Sequence, residues 1–276
     1  MNSNEKLQVS KMPTLYIPHG GGPCFFMEWT MGSPNTWEKM ATWFRGLSET
    51  LPQKPGAIVV ISGHWEEPSF SVYKHEKIPM LYDYYGFPES TYRLQYPASG
   101  SAKIASNVEV LLENSGFKVN SEYERGFDHG VFVPLMLMFP DADVPVIPLS
   151  LKVGLNPEEH IVAGQALESL RSQGVLILGS GNSYHNLRGM MSGQDKIAAS
   201  DIFDDWLTAV VEDSNVEQRN QKLIQWSLAP AARSAHPREE HLIPLMVMAG
   251  AGGANVGKRI FTDRVMGSTV SAYQFG

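Results

Sequence analysis

Two apolar runs constrain the fold most: Ala-Ile-Val-Val-Ile at 57–61 and Val-Leu-Ile-Leu at 175–178. Neither alternates with polar residues. A strand can be apolar on both faces only where both faces are covered, as in the interior of a sheet flanked by helices. Shorter strands are expected at 14–18, 70–73, 145–151, 260–265 and 269–274. Helical spacing appears between them. At 36–51, Trp37, Met40, Trp43, Phe44 and Leu47 fall on one face, and Pro52 and Pro55 end the helix. Further helices are expected at 102–115, 157–172, 202–211 and 219–226, with an apolar one from Val131. Another is expected from Pro237, with Glu239 and Glu240 in its first turn, ending at 250–253. Strands alternating with helices predict a single-domain α/β fold of three layers, its central sheet largely parallel or mixed. Residues 1–12 read as a loose tail and 13–276 as one folded domain. Residues 78–100 are crowded with tyrosine and proline without a period, which suits a loop covering a site.

Function is concentrated in the histidines. The chain has eight, and four stand where a strand should stop or a helix begin. They are His19 in Pro-His-Gly-Gly-Gly-Pro, His64 in Ser-Gly-His-Trp, His185 in Gly-Asn-Ser-Tyr-His, and His241 in His-Pro-Arg-Glu-Glu-His. In α/β sheets that edge is where sites form. Each alone reads equally well as a loop or capping residue. Together, at least three imidazoles with carboxylates nearby fit a mononuclear Fe(II) or Zn(II) site with open positions. His129, between Asp128 and Gly130 at a helix start, suits acid–base work or anchoring of a substrate. His75 and His160 read as solvated residues outside the site.

Several chemistries are excluded. The glycines after His19 match neither the dinucleotide nor the P-loop pattern. Gly179-Ser-Gly-Asn-Ser lacks the nucleophile-elbow spacing. His236 and His241 are five residues apart with Pro237 between them, which rules out the zinc-protease helix. One of that pair is expected as a ligand and the other either behind it or facing the substrate, with His236 at the helix N-cap. The formal net charge is −7 and no basic block occurs, so nucleic acid is not an expected partner. No apolar run reaches the ~18–20 residues of a membrane span. A single cysteine, Cys24, excludes an internal disulfide framework, and a cytoplasmic location is expected.

The ordered set Pro18-His-Gly-Gly-Gly-Pro23, Ser62-Gly-His-Trp65, Tyr82-Asp-Tyr-Tyr-Gly-Phe-Pro88, Arg125-Gly-Phe-Asp-His-Gly130, Gly181-Asn-Ser-Tyr-His-Asn-Leu187 and Ala235-His-Pro-Arg-Glu-Glu-His241 resembles the class III extradiol ring-cleaving dioxygenases, in particular their DOPA 4,5-dioxygenase-like branch. The resemblance implies Fe(II) for activity, with Zn(II) in isolated members. It implies a small aromatic diol, DOPA-like or otherwise substituted, opened beside its diol by O₂ to a muconic semialdehyde. By motif, His19, His64 and His241 correspond to metal ligands, His185 to the catalytic base or a fourth ligand, and His129 to a residue handling substrate and oxygen. The wider family uses a glutamate as third ligand, which keeps Glu240 in view. Tyr84, Arg125, Asp128 and His236 are candidate substrate contacts, and Arg93, Arg125 and Arg238 are candidates to receive a substrate carboxylate. A zinc hydrolase and a non-catalytic binding protein are the alternative readings, and a homo-oligomer is left open.

Overall fold

The computed structural model describes residues 10–192 and 196–276. The first half of the chain forms β1 (Thr14–Pro18), α1 (Glu38–Leu47), β2 (Ala57–Glu67), β3 (Phe70–Tyr73), α2 (Ala102–Asn114), β4 (Val119–Glu122) and α3 (His129–Met138). The second half forms β5 (Val146–Lys152), α4 (Pro157–Leu167), β6 (Val175–Gly181), α5 (Leu187–Ser192), α6 (Lys196–Val211), α7 (Val216–Ile224), α8 (Ala232–Ala235), α9 (Ile243–Gly252), β7 (Gly257–Val265) and β8 (Ser268–Phe275). One eight-stranded mixed sheet runs in the order β4-β3-β5-β2-β6-β1-β8-β7. Its centre, β5-β2-β6-β1, is parallel, and β3 and β8 join it antiparallel. The two apolar runs are adjacent interior strands, each packed against both α3 and α9, which explains their lack of alternation.

Of the expected tail, residues 1–9 lie outside the described residues. Met12 is buried, and its carbonyl accepts a hydrogen bond from Arg171 at 2.6 Å. No helix among the described residues is long and apolar enough to cross a membrane.

Three differences from the sequence expectation bear on the site. First, β2 continues past the apolar run to Glu67. Its register with β5 shifts between Ile61 and Glu66, so His64 lies inside an irregular stretch of strand, where such a shift re-aims a side chain. Second, no helix begins at Pro237. The residue before a proline is pushed out of the helical region. His236 accordingly ends the short α8 with φ −129°, and α9 starts only at Ile243 with Pro244 in its first turn. His236 is therefore not an N-cap, and His241 precedes the helix instead of lying within it. Third, β4 and α5 were not expected. β4 reads Val-Asn-Ser-Glu at a sheet edge, too polar and too short to show a pattern.

Two fully buried arginines hold the far end of α9. Arg171 donates to the carbonyls of Ala251 and Gly252, and Arg219 to those of Ala249 and Gly253. They satisfy carbonyls that a helix end leaves unpaired, and their charge suits its negative pole. The helix so fixed carries His241 just ahead of its first turn.

His160 corrects a further expectation. It is completely buried, because its ring completes a local network: Nδ1 donates to the Asn156 carbonyl at 2.7 Å and Nε2 accepts from the Lys152 N–H at 3.1 Å. Burial lowers its pKa from the ordinary 6.5 to about 4. Between these values the unfolded state holds more protons than the folded one. Stability is thus complete above pH 6.5 and falls as pH drops through that window. Urea unfolding between pH 7 and 4 is expected to show the loss. His160→Gln is expected to flatten the slope by up to about 1.4 kcal/mol per pH unit. Unchanged slopes in the variant would remove His160 from the account.

Candidate active site

Five histidines meet at one edge of the sheet. β1, β6 and β2 are mutually parallel, so their carboxyl ends lie together. His19 follows the end of β1, His64 lies near the end of β2, and His185 follows β6. His129 opens α3, and His241 comes in from the turn before α9. After His19 the chain turns sharply through Gly20 (φ +83°) and Gly22 (φ +57°). A Cβ at Gly20 would stand 2.6 Å from the Cys24 sulfur, and one at Gly22 would stand 2.9 Å from the Phe87 ring. Larger residues would push this turn out of the site.

His241 is fixed through its backbone. Its carbonyl accepts from the Tyr16 hydroxyl at 2.6 Å and from the Asn182 N–H at 3.1 Å. Burial raises the Tyr16 pKa well above its ordinary value, which keeps that hydroxyl a donor. The same carbonyl lies 2.0 Å from where a Cβ on Gly181 would be, so the last residue of β6 must be glycine for His241 to approach.

The Nε2 atoms of His19 and His64 are 3.1 Å apart, and those of His64 and His241 are 3.3 Å apart. The hydrogen-bond network assigns the tautomers. Ser180 directs its hydroxyl proton to the Gly130 carbonyl, so at 3.1 Å it accepts from His19 Nδ1. His241 Nδ1 donates to Glu240 Oε1 at 2.9 Å. His64 Nδ1 faces Asp83 Oδ2 at 3.7 Å. All three rings thus turn their Nδ1 outward toward acceptors and a lone pair on Nε2 inward. Burial first, then the neighbouring imidazoles, hold His19 and His241 well below the ordinary histidine range. His64 is lowered to about 3 by burial and by His129, against the pull of Asp83. Three Nε2 lone pairs facing one another are a donor set suited to a cation. Nitrogen ligands about 2.0–2.1 Å from one metal ion are separated by roughly 2.8–3.4 Å at octahedral to tetrahedral angles, so the 3.1 and 3.3 Å spacings fit a divalent ion.

The other two histidines stand beside this trio, each sharing a carboxylate with one member of it. His129 Nδ1 is 2.8 Å from Asp83 Oδ1, the carboxylate that also faces His64. His185 Nδ1 is 3.3 Å from Glu240 Oε1, and its ring stacks on His241 with centroids 3.4 Å apart. Burial works to raise the Asp83 pKa, but the His129 hydrogen bond and the charges of His129 and His64 leave it below the usual carboxylate range. Glu240 is likewise held low against its burial, chiefly by His185. Glu240 therefore lies behind the imidazoles, on their Nδ1 side, and its second oxygen is 3.5 Å from Arg238.

All five histidines line a cavity of about 270 Å³. Trp37 and Met40, from the cap and first turn of α1, and Tyr84 and Phe87, from the aromatic loop, are also in its wall. The loop otherwise divides: Tyr96 is buried in the core and Tyr85 is 91% exposed. Three candidate substrate contacts lie elsewhere. Arg125 donates to Asp128 Oδ2 and to the His64 carbonyl, both at 3.0 Å, and stacks over Trp65. Asp128 accepts from Ser62 at 2.7 Å. The pair braces the irregular stretch of β2 from behind. His236 is fully buried, with its Nε2 2.9 Å from the Ser183 carbonyl, and braces the chain ahead of His185. Arg93 is exposed, and Arg238 pairs with Glu66 at 2.6 Å. His75 is exposed and apart from the site.

Asp83, Ser180 and Gly181 also shape the site, although the sequence offered Asp83 and Gly181 only within motifs and Ser180 only as a rejected nucleophile. Asp83 carried a signal, an acid set between Tyr82 and Tyr84 in an aromatic loop. Ser180 and Gly181 looked like ordinary small residues at a strand end.

A family model described as the catalytic LigB subunit of aromatic ring-opening dioxygenase matches residues 13–276. The chain is 40% identical over 227 residues to a 4,5-DOPA dioxygenase extradiol of Beta vulgaris, covering 81% of this chain and 84% of that protein. It is 32% identical over 287 residues to dioxygenase tasH of Hapsidospora irregularis, covering 96% and 85%. A crystal structure of an uncharacterized Escherichia coli K12 protein superposes with a TM-score of 0.75 at 30% identity, over 96% of this chain and 100% of that one. The chain belongs to the LigB family of aromatic ring-opening dioxygenases. It is an extradiol ring-cleaving dioxygenase, an oxidoreductase.

Proposed function

We propose that this enzyme opens a catechol beside its diol with O₂, using Fe(II) held by His19, His64 and His241. The convergence of three neutral Nε2 lone pairs at 3.1 and 3.3 Å carries this reading. Ferrous iron, when bound, supplies Lewis acidity toward the diol and the redox chemistry with O₂ that no side chain offers. The chain's own groups supply proton handling and enclosure. His185, with Nδ1 turned to Glu240, keeps Nε2 free to take a proton from the diol. His129, oriented by Asp83, stands beside His64 with ring centroids 4.0 Å apart and is placed to hold or return a proton. The apolar walls exclude water, which strengthens each polar contact made inside. The carbon–carbon bond next to the diol breaks, and both atoms of O₂ enter the product, a muconic semialdehyde.

The test is to load metal-free protein anaerobically with Fe(II), then add a catechol and O₂. One O₂ consumed per ring opened, with a yellow product, is expected. Protein that consumes no O₂ with iron but hydrolyses esters or amides with zinc would be a hydrolase, and the reading would fall.

A further inference from the structure

The cavity wall specifies what the aromatic ring carries. Among the described residues, no Lys, Arg, Asp or Glu lines it. Apart from the histidines, its wall is Trp, Met, Phe, Leu and Val side chains, the glycines at 20–22, and three neutral polar residues, Tyr84, Asn182 and Tyr184, the last bonded to Ser268. The Tyr84 hydroxyl is already committed to the Thr91 carbonyl at 2.7 Å, and burial, against that bond, lifts its pKa to about 12. Asn182 is a neutral polar group on the wall. Met31, Met190 and Met266 line both this cavity and an adjoining outer hollow. The hollow's cations already have partners: Lys39 is 3.5 Å from Asp263, and Arg264 holds Asp201 at 2.9 and 3.0 Å.

We infer that the aromatic diol bound here carries an uncharged, apolar substituent, seated against Trp37 and the three methionines. The inference rests on the ring-cleavage reading and narrows its substrate class. A carboxylate in this position would lose its water without gaining a counter-charge, which is costly. An alkyl or aryl substituent loses nothing, and unbranched methionines adapt to its shape.

Three ligands test this: 4-propylcatechol, its near-isostere 3-(3,4-dihydroxyphenyl)propionate, and DOPA. Affinity is read on zinc-loaded protein by quenching of tryptophan fluorescence, since Trp29 and Trp37 line the cavity. kcat/KM is read on the iron-loaded enzyme. Propylcatechol is expected to exceed both charged ligands at least about tenfold in each readout. Met266→Arg is expected to narrow or reverse the gap for the propionate. DOPA or the propionate matching propylcatechol, with ring opening intact, would overturn the preference and leave ring cleavage standing. Binding in the expected order without ring opening of any of the three would uphold the preference and overturn ring cleavage.

Discussion

A His64→Ala variant is expected to be isolated without bound iron or zinc and to show no ring opening above background. His64 is the middle member of the trio, with its Nε2 3.1 Å from that of His19 and 3.3 Å from that of His241. Its removal leaves two imidazoles, too few to hold a divalent ion in a site that also needs open positions. Loss of a group that merely orients a ligand weakens metal binding about 10–100-fold, and loss of the ligand itself should exceed that. Elemental analysis checks the content. A thermal melt with and without added zinc separates this effect from misfolding. Wild type should gain stability with the metal, and the variant should melt cooperatively but gain nothing. Full metal content in the variant would remove His64 from the ligand set.

His185→Gln is expected to keep its metal and lose turnover, with kcat falling about 10²–10⁴-fold, the range for a general acid–base group. The geometry separates the two histidines. His185 lies face to face with His241, 3.4 Å between centroids, and directs Nδ1 to a carboxylate, the orientation expected of a base held beside the metal. Glu240→Gln should mimic the loss more mildly, since it disturbs the orientation of His185 and His241 without removing either ring. Metal loss in His185→Gln would make His185 a ligand and end its assignment as the free base.

The fold was legible where burial writes itself into composition. The runs at 57–61 and 175–178 are interior strands because nothing polar interrupts them. The five histidines that gather were legible because each lies shortly before or after an apolar run in the sequence. Legibility failed where a long-range contact decides the outcome. The irregular stretch that re-aims His64 depends on pairing with β5 and on the Arg125–Asp128 brace, neither of which is local. The start of α9 depended on which proline ends up in a helical turn, and Pro237 and Pro244 look equivalent in sequence. His160 was misjudged because its helix carries charged neighbours, although one of its faces packs inward. Asp83 acquires its meaning only once His64 and His129 are brought to it.

The three converging imidazoles come from distant parts of the chain. His19 and His64 are 45 residues apart, and His64 and His241 are 177 apart. No fragment short of the docked β1, β2 and pre-α9 turn contains the trio. A metal ion therefore has little to grip in early folding intermediates and cannot act as a nucleus. It should act late, slowing unfolding while leaving the folding rate nearly unchanged, as expected for contacts absent from the transition state. In this chain the metal would serve as a lock on the finished structure, and its release rate would set an upper bound on how fast a loaded molecule can open through that edge of the sheet.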